Sequence, residues 1–247
     1  MDMNADKMPR SWPPEGQVFP VRRVEIRVSD AAHPFSLAER DAIERNWREE
    51  SAANPALYDG EMLLQSAVDI SDAGVLATAH LVSFSTFLLW RKRRPRAGGL
   101  HLFGLPLLVS SDGAVVAIRM GRHTANPGKV YCAAGSLDAH DIQNGYCDVE
   151  ANMAREVAEE TGLDLSAALA EPVLHALHVD SVVTVLRVYR FAQTAQEMLA
   201  AIAAHMETET EPEIDGAVAI RDSDPARHAY AAFMPPVLRW FFQRGQA

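Results

Sequence analysis

The segment AREVAEETGLDL, residues 154–165, decides how this chain is interpreted, because four carboxylates and an arginine crowd into it. A helix advances about 100° per residue, so Glu156 and Glu160 share one face, with Glu159 close beside them. Arg155 lies one turn from Glu159 and can pair with it. Carboxylates packed together repel one another unless a cation binds between them, and hard oxygen ligands suit Mg²⁺ or Mn²⁺. The segment therefore predicts a divalent metal site.

Local signals around this segment predict one helix over residues 148–161. Asp148 is a favourable N-cap, and Gly162 follows the last helical residues as a C-terminal stop. Three apolar side chains repeat at four-residue spacing and are expected to face the core: Val149, Met153 and Val157. Taken alone, an acidic run on such a helix more often just faces water, so the metal site needs further support.

Nine consecutive positions, residues 155–163, match the second half of the signature G-x5-E-x7-R-E-U-x-E-E-x-G-U, in which U is an aliphatic residue. On these residues the chain resembles the Nudix hydrolases. The resemblance implies an α/β (α+β) fold, an α/β/α sandwich with a mixed sheet and the signature helix between two layers. It also implies that Glu156, Glu159 and Glu160 bind the metal and carry the catalysis, with Arg155 orienting them.

The first half of the signature is degenerate in the loop YCAAGSLDAHDIQNGYCD, residues 131–148. Gly135 can serve as the second glycine of the usual pair, and Asp138 falls where an early acidic residue is expected. The loop is then longer than the family pattern, and Cys147 stands at the position of the isolated glutamate. In the family, that glutamate braces the arginine and approaches the metal. Three aspartates are candidates to replace it: Asp138, Asp141 and Asp148.

The overall composition limits the classes of partner. The chain has 247 residues, 48% of them apolar, with 23 basic and 33 acidic side chains and a formal net charge of −10. This balance argues against a general nucleic-acid or anionic-membrane binder, and no apolar run reaches the length of a membrane span. A nucleotide substrate is still compatible with it, because a bound divalent metal inverts the local field.

The cysteines and the N-terminus indicate the compartment. Two cysteines, Cys132 and Cys147, provide neither a disulfide framework nor a zinc site and are typical of a reducing environment. Residues 1–16, MDMNADKMPRSWPPEG, lack a signal-peptide pattern and predict a flexible tail. We therefore expect a cytoplasmic protein with no nucleic-acid and no membrane partner.

A basic, Pro/Gly-punctuated segment, RKRRPRAGG, marks the strongest composition shift at residues 91–99. It divides the chain into an N-terminal α+β module, residues 17–98, and a Nudix hydrolase domain, residues 99–247. A solvated loop is the simpler interpretation of the segment, and a clamp for phosphate is the functional one.

The patterning of the remaining chain predicts a mixed sheet with helices on both faces. Residues 18–30 alternate as one strand, and residues 35–55 indicate one helix with Ser36 as its N-cap. The apolar segments 61–71 and 75–92 predict strands. Later elements follow from the same patterns: a hairpin through residues 110–113, strands at 130–135, 171–180, 182–192 and 213–221, and helices at 194–206 and 225–245, the last broken at Pro235 and Pro236.

Further substrate-binding candidates lie outside the signature. Lys129 and Arg119 can meet a phosphate, and the acidic run METETEPEIDG, residues 206–216, offers Glu211 or Glu213 as a late carboxylate. Trp47 precedes Asn-Pro and Tyr-Asp-Gly turns, an order similar to the N-terminal segment of the UDP-glucose/UDP-galactose diphosphatase branch. Helix-stop and turn chemistry with Trp47 in the core explains the same residues equally well.

The resemblance implies an enzyme that hydrolyses the pyrophosphate bond of a nucleoside diphosphate linked to another moiety, with Mg²⁺ or Mn²⁺ as cofactor. A small-molecule nucleotide sugar of the UDP-glucose type is the first expectation for the substrate, and ADP-ribose is the second. A catalytically impaired Nudix-fold protein that binds nucleotides or regulates is the alternative from another class. Related enzymes suggest a possible homodimer.

Overall fold

The computed structural model describes residues 12–71 and 74–244. The strands of these segments are β1 (Phe19–Val21), β2 (Val24–Ser29), β3 (Glu61–Ser71), β4 (Gly74–Ser83), β5 (His101–Val109), β6 (Val115–Met120), β7 (Val130–Tyr131), β8 (Ile142–Gln143), β9 (Tyr146–Cys147), β10 (Leu169–Ala170), β11 (Leu174–Val179), β12 (Val182–Arg190) and β13 (Ile214–Ile220). The α-helices are α1 (Pro34–Ala38), α2 (Arg40–Ala53), α3 (Phe84–Lys92), α4 (Val149–Thr161), α5 (Ala195–Met206) and α6 (Met234–Gln243).

The strands form two mixed sheets, so the fold belongs to the expected α+β class. The large sheet has the order β1-β11-β12-β5-β6-β13, with β10 beside β12 and β7 beside β6. Its central pair, β5 and β12, is parallel, and the other pairs are antiparallel. The small sheet has the order β3-β4-β2-β9-β8, in which only β2 and β4 run parallel.

Helices cover both faces of the large sheet. On one face α4 packs so closely on β5 that a Cβ atom at Gly104 would lie 2.9 Å from the Met153 side chain, and α5 packs beside α4. On the other face Phe103 contacts Phe233, directly before α6. Met153 and Val157 are fully buried, so the expected core-facing stripe of the signature helix is confirmed.

The ends of α4 follow the sequence signals closely. The Asp148 side chain accepts hydrogen bonds from the amides of Glu150 and Ala151, both 3.0 Å long. The helix ends at Gly162, whose φ of 68° is the left-handed conformation that glycine adopts without strain. The predicted helix and its two end residues are therefore confirmed.

The long loop before α4 is explained by the small sheet. After a 3₁₀ turn at Ala139–Asp141, the chain forms the hairpin β8–β9, and β9 pairs with β2 through Ile26 and Cys147. Cys147 therefore becomes a buried strand residue. In the opposite direction, β1 pairs with β11 of the large sheet. Each of the two segments, 17–98 and 99–247, thus contributes a strand to a sheet formed mainly by the other. Their division into two modules stays a prediction.

The N-terminal elements correct two expectations. Residues 18–30 are not one strand, because the chain leaves the large sheet after β1 and enters the small sheet at β2. Residues 35–55 form two helices, α1 and α2, separated at Glu39. Ser36 is not the N-cap: His33 caps α1 through Nδ1, which accepts from the Phe35 amide at 3.0 Å, and Pro34 occupies the first turn, where no N–H is needed.

Two further segments differ in part from the expectation. Segment 75–92 contains the expected strand, β4, but its end is the helix α3, which begins where the Ser83 hydroxyl accepts from the Thr86 amide at 3.3 Å. Residues 225–233 are not helical, and Pro235 and Pro236 do not break a helix but begin α6. Proline is tolerated there because the first helical amides have no intrahelical partner.

The described end of the N-terminal tail packs against β11. Trp12 contacts the His178 ring edge-on at 5.0 Å, and the Gly16 amide donates to the His178 carbonyl at 2.9 Å. Residues 1–11 of the predicted tail lie outside the described residues. No helix in the described segments has the length and apolarity needed to span a membrane.

Candidate active site

A cleft of about 690 Å³ is lined by α3, by α4, by the first residues of the central strand β5 and by residues 230–233. One side carries the carboxylates of Glu156 and Glu160 on α4 with Glu213 before β13, which we call the acidic wall. Another side carries Arg91, Arg94 and Arg96, which we call the basic wall. The cleft thus offers places for both a cation and an anion.

Glu156 and Glu160 are held together by the helix and pressed against the loop before it. They are separated by one helical turn, and Glu156 is only 9% exposed. Gly135 of the loop makes this possible, because a Cβ atom there would lie 2.2 Å from Oε2 of Glu156. The glycine that the sequence pattern singled out is therefore required by the close approach of a carboxylate.

Burial disfavours the charged forms of both carboxylates. It raises the pKa of Glu156 to about 7, with Arg155 acting in the opposite direction. Burial also raises the pKa of Glu160 to about 8, and the nearby carboxylates of Glu156 and Glu213 raise it further. Oε2 of Glu160 is buried without a hydrogen-bond partner among the described residues. An unsatisfied buried carboxylate oxygen beside further carboxylates is a place where a cation would be stabilised.

Arg155 connects the acidic residues of α4 to the preceding loop. Its Nη1 lies 2.9 Å from Oε1 of Glu156 and 3.1 Å from Oε2 of Glu159. Its Nη2 lies 3.2 Å from carboxylate oxygens of both Asp138 and Asp141. One guanidinium therefore contacts four carboxylates, and its orienting role stays a prediction.

Asp141 is the most buried of the three aspartates that could replace the missing glutamate. Its side chain is 2% exposed and accepts hydrogen bonds from Arg155 and, at 3.0 Å, from Nδ2 of Asn152. Asp138 also contacts Arg155 but is 24% exposed, whereas Asp148 is the helix cap. Asp141 therefore braces Arg155 here, and the sequence did not single it out because three aspartates are close along the chain.

The basic wall uses three arginines of the segment 91–99 that sequence composition had marked. Arg96 donates to the carbonyl of Asp180 at 2.6 Å and lies 3.0 Å from its carboxylate. Arg94 approaches the same carboxylate at 3.8 Å. Lys92 and Arg93, by contrast, pair with glutamates of the N-terminal segment outside the cleft. The segment is thus not a simple solvated loop.

An aromatic surface lines the same cleft and was missed by sequence reasoning. Its members are Phe87, Trp90, His101, Phe103, Tyr131 and Phe233. Neighbouring rings touch one another, with centroids 4.7 Å apart for Phe87 and His101 and 5.0 Å apart for Phe103 and Phe233. The three-residue spacing of Phe84, Phe87 and Trp90 on α3 was the available signal, and it was obscured because the segment was interpreted as strand.

The other predicted site residues divide into two groups. Lys129, Gly135 and Glu213 line the cleft, whereas Trp47, Arg119 and Glu211 do not. Trp47 is half-buried on α2. Arg119 pairs with Asp215 at 2.5 Å, because it points to the opposite face of β6 from its cleft-lining neighbour Met120. Glu211 is exposed before β13.

The residues fit a divalent ion that is shared with a substrate. In the described segments no three His, Cys, Asp or Glu side chains converge as a ready-made metal cage. The Glu159 side chain is 59% exposed and is not among the residues that line the cleft, so its part as a metal ligand stays a prediction. Mg²⁺ is usually bound by one or two carboxylates, waters and substrate phosphates. Glu156 and Glu160, with the unpartnered oxygen, provide such a carboxylate pair.

Comparison with known proteins gives matches in solved structures only. No protein-family model and no curated protein matches the chain. The chain is similar to the DR0079 protein of Deinococcus radiodurans, with 14% identity over 74% of this chain and 99% of that one and a TM-score of 0.47. It is similar to the MutT protein of Methanosarcina mazei Go1, with 12% identity, coverages of 60% and 96% and a TM-score of 0.40. It is also similar to RenU, a Nudix hydrolase of M. smegmatis, with 12% identity, coverages of 60% and 85% and a TM-score of 0.40.

Proposed function

We propose that this protein is a Nudix-type hydrolase that cleaves the pyrophosphate bond of a nucleoside diphosphate linked to another moiety. The observation that carries the proposal is the buried pair Glu156 and Glu160, with one oxygen unpartnered, in a cleft that also presents three arginines. A substrate whose diphosphate binds the acidic wall through a divalent ion, and whose anionic oxygens also meet the arginines, satisfies both walls at once. A nucleotide sugar of the UDP-glucose type is the first substrate class proposed, and ADP-ribose is the second.

Within this proposal the residues of α4 have distinct tasks. Glu156 and Glu160 would hold Mg²⁺ or Mn²⁺, and Arg155 keeps the Glu156 carboxylate in place. When bound, such an ion neutralises diphosphate charge and lowers the pKa of a bound water. The carboxylate of Glu213, which lines the cleft beside Glu160, is proposed to accept the proton of the attacking water.

The aromatic surface supports a nucleoside as part of the substrate. A base gains stacking and dispersion contacts on rings such as Phe87, Phe103 and Phe233, and such contacts favour any base because each has a π-face. Lys129, which lines the cleft, is proposed to contact phosphate oxygens of the diphosphate. The aromatic rings do not distinguish uridine from adenosine, which is why both substrate classes are kept.

A nucleotide-binding protein without catalysis is the second candidate. It is favoured by the outward position of Glu159 and by Cys147, which occupies the place of the signature glutamate as a buried strand residue. This candidate uses the same cleft and the same aromatic surface but requires no turnover. Saturable binding of a nucleoside diphosphate with no product at saturating Mg²⁺ and Mn²⁺ would favour it.

The test is a panel of nucleoside diphosphate substrates assayed for phosphorus-containing products with and without Mg²⁺ or Mn²⁺. We expect metal-dependent hydrolysis of at least one nucleotide sugar or ADP-ribose by the wild-type protein. Glu160→Gln should lower kcat by about 10²-fold or more, because several kcal/mol of charge stabilisation are lost. Glu44→Gln, an exposed position on α2, is the matched control and should be unchanged. Full activity of folded Glu160→Gln contradicts the proposal.

A further inference from the structure

Arg91 differs from its basic neighbours in having no carboxylate partner among the described residues. Its Nη2 donates to the carbonyl of Ala125 at 3.1 Å and to Oδ1 of Asn126 at 2.7 Å, and both acceptors are neutral. Lys92, Arg93, Arg94 and Arg96 each form an ion pair with an acidic side chain. Among residues 12–71 and 74–244, no carboxylate lies within ion-pair distance of Arg91.

The environment of Arg91 makes an unpaired charge unfavourable. Its side chain is partly buried in the cleft, and burial lowers its pKa from the ordinary value, although a guanidinium stays charged at any physiological pH. A partly desolvated cation without a counter-ion costs free energy that an incoming anion can offset through paired N–H donors. The position therefore favours an anionic ligand over a neutral one.

A chain of hydrogen bonds fixes Arg91 within the cleft. Asn126 accepts from Arg91 and donates through Nδ2 to the Tyr131 hydroxyl at 3.2 Å. Arg91, Asn126 and Tyr131 line the same cleft as Glu160. A substrate held at Glu160 through its diphosphate can therefore present a further group to Arg91 in that cleft.

We propose that Arg91 forms a subsite for a second anionic group, so that preferred substrates are nucleoside diphosphates whose attached moiety carries its own carboxylate or phosphate. The proposal rests on the function proposed above and narrows its substrate class. Among the described residues, Nε2 of the cleft-lining His101 is also buried without a hydrogen-bond partner.

Two matched substrate pairs test the subsite. UDP-glucuronate and UDP-glucose differ by one carboxylate, and ADP-ribose 1″-phosphate and ADP-ribose differ by one phosphate. The ratio of kcat/KM, acidic over neutral, is measured for each pair with Mg²⁺. One charge-assisted interaction predicts a ratio of about tenfold to hundredfold in at least one pair, and the pair that shows it identifies the anion.

Substitutions test whether Arg91 is the cause of the kcat/KM ratio between acidic and neutral substrates. Arg91→Met should bring the ratio close to one, and Arg91→Lys should keep part of it, because the charge remains without the planar fork. Arg93→Met removes the same type of side chain from the same segment but outside the cleft, so its ratio should equal that of the wild type. Thermal unfolding of each variant checks that it folds. If Arg91→Met does not fold, Arg91→Lys alone decides by its lower ratio.

The outcomes separate this inference from the proposed function. Hydrolysis of both members of each pair with ratios near one overturns the subsite and leaves the function intact. A wild-type ratio that Arg91→Met or Arg91→Lys leaves unchanged also overturns it, as does a change only in the preference between uridine and adenosine. If nothing is hydrolysed, calorimetric affinities for the same pairs replace kcat/KM: a ratio above about tenfold keeps the subsite, and equal or absent binding overturns it.

Discussion

The acidic wall and the basic wall of the cleft differ in how the backbone holds them. Glu156 and Glu160 stand one turn apart on a regular helix, α4, and press against a loop that contains Gly135. Arg91, by contrast, lies at the end of a helix, and Arg94 and Arg96 follow on a segment without regular structure between α3 and β5. One wall is set by helical spacing and the other by contacts made in the folded protein.

The two walls should therefore respond differently to substitutions. On α4 the spacing of carboxylates is fixed by the helix, so changes in the loop opposite should alter their position. On the basic wall each arginine depends on its own partner, such as Asp180 or Asn126. We therefore expect loop substitutions to affect the acidic wall as a unit and single substitutions to affect the basic wall one residue at a time.

Among substitutions of residues that support the walls, Gly135→Ala should have the largest effect. The new Cβ would lie 2.2 Å from Oε2 of Glu156, so the carboxylate has to move. A displacement of about 1 Å in a catalytic group lowers kcat by roughly 10²-fold. The decrease in kcat is measured by steady-state hydrolysis of the best substrate in the panel.

Gly113→Ala is the control for this change. Gly113 has a positive φ, 82°, but nothing lies within 4 Å of its Cβ position in the turn between β5 and β6. The control should lose stability by about 1 kcal/mol because of backbone strain while keeping wild-type kinetics. Equal kinetics of Gly135→Ala and wild type would show that Glu156 does not need its observed position.

Asp141→Asn should destabilise the protein by about 1–3 kcal/mol, because Arg155 loses its most buried carboxylate partner. For a chain of this size that lowers Tm by roughly several degrees. Asp138→Asn removes a more exposed partner of the same arginine and should have a smaller effect. Thermal unfolding measures the stability of both variants. A larger loss of stability for Asp138→Asn than for Asp141→Asn would show that Asp141 is not the main partner of Arg155.

The pH dependence of stability should reflect the burial of the carboxylates in the acidic wall. Burial raises the pKa values of Glu156 and Glu160 to about 7 and about 8, above the ordinary value of 4.5. Between pH 4.5 and the raised pKa values, the folded protein binds more protons than the unfolded chain. The stability that these two protonated carboxyl groups contribute is therefore fully present below pH 4.5 and is lost as the pH rises through 7 and 8. Metal-free protein should therefore unfold at lower temperature at about pH 9 than at about pH 6.

Glu160→Gln should reduce this decrease, because the amide cannot ionise, and saturating Mg²⁺ should reduce it in the wild type by stabilising the charged carboxylates. Differential scanning calorimetry over the same pH range measures all three samples. A Tm that rises with pH in metal-free wild type would contradict the burial of these carboxylates.

Substitution outside the cleft should have the smallest effect. Arg119→Met removes an exposed ion pair with Asp215 on the far face of β6. Surface pairs contribute about 0–1 kcal/mol, so Tm should change little, and KM should stay within about twofold of wild type. A clearly raised KM would restore Arg119 to the substrate-binding residues that the sequence predicted.

The sequence predicted the acidic wall because its signals are local. The cap Asp148, the stop Gly162 and the apolar spacing all act within a few residues, so the limits of α4 agree with the expected 148–161. The aromatic surface and the basic wall were not predicted in this form. The helical spacing of the aromatic residues in 84–92 was hidden because this segment directly continues the apolar residues of β4, and the partner of Arg94 and Arg96 lies far along the chain.

The loop before α4 is a second feature that could not be predicted from local sequence. Its length was visible in the sequence, but the reason is a long-range strand pairing between β9 and β2. The choice of Asp141 over Asp138 and Asp148 likewise depends on which carboxylate the fold buries beneath Arg155. Such choices follow from tertiary packing and not from spacing along the chain.

The most direct test of the shared metal site is the anomalous scattering of Mn²⁺ in crystals grown with a non-hydrolysable nucleoside diphosphate analogue. The account predicts a Mn²⁺ peak about 2.1 Å from carboxylate oxygens of Glu156 and Glu160, with a diphosphate oxygen completing its ligands. A bound analogue with no metal peak at these two carboxylates, or with Mn²⁺ held elsewhere in the cleft, would contradict it.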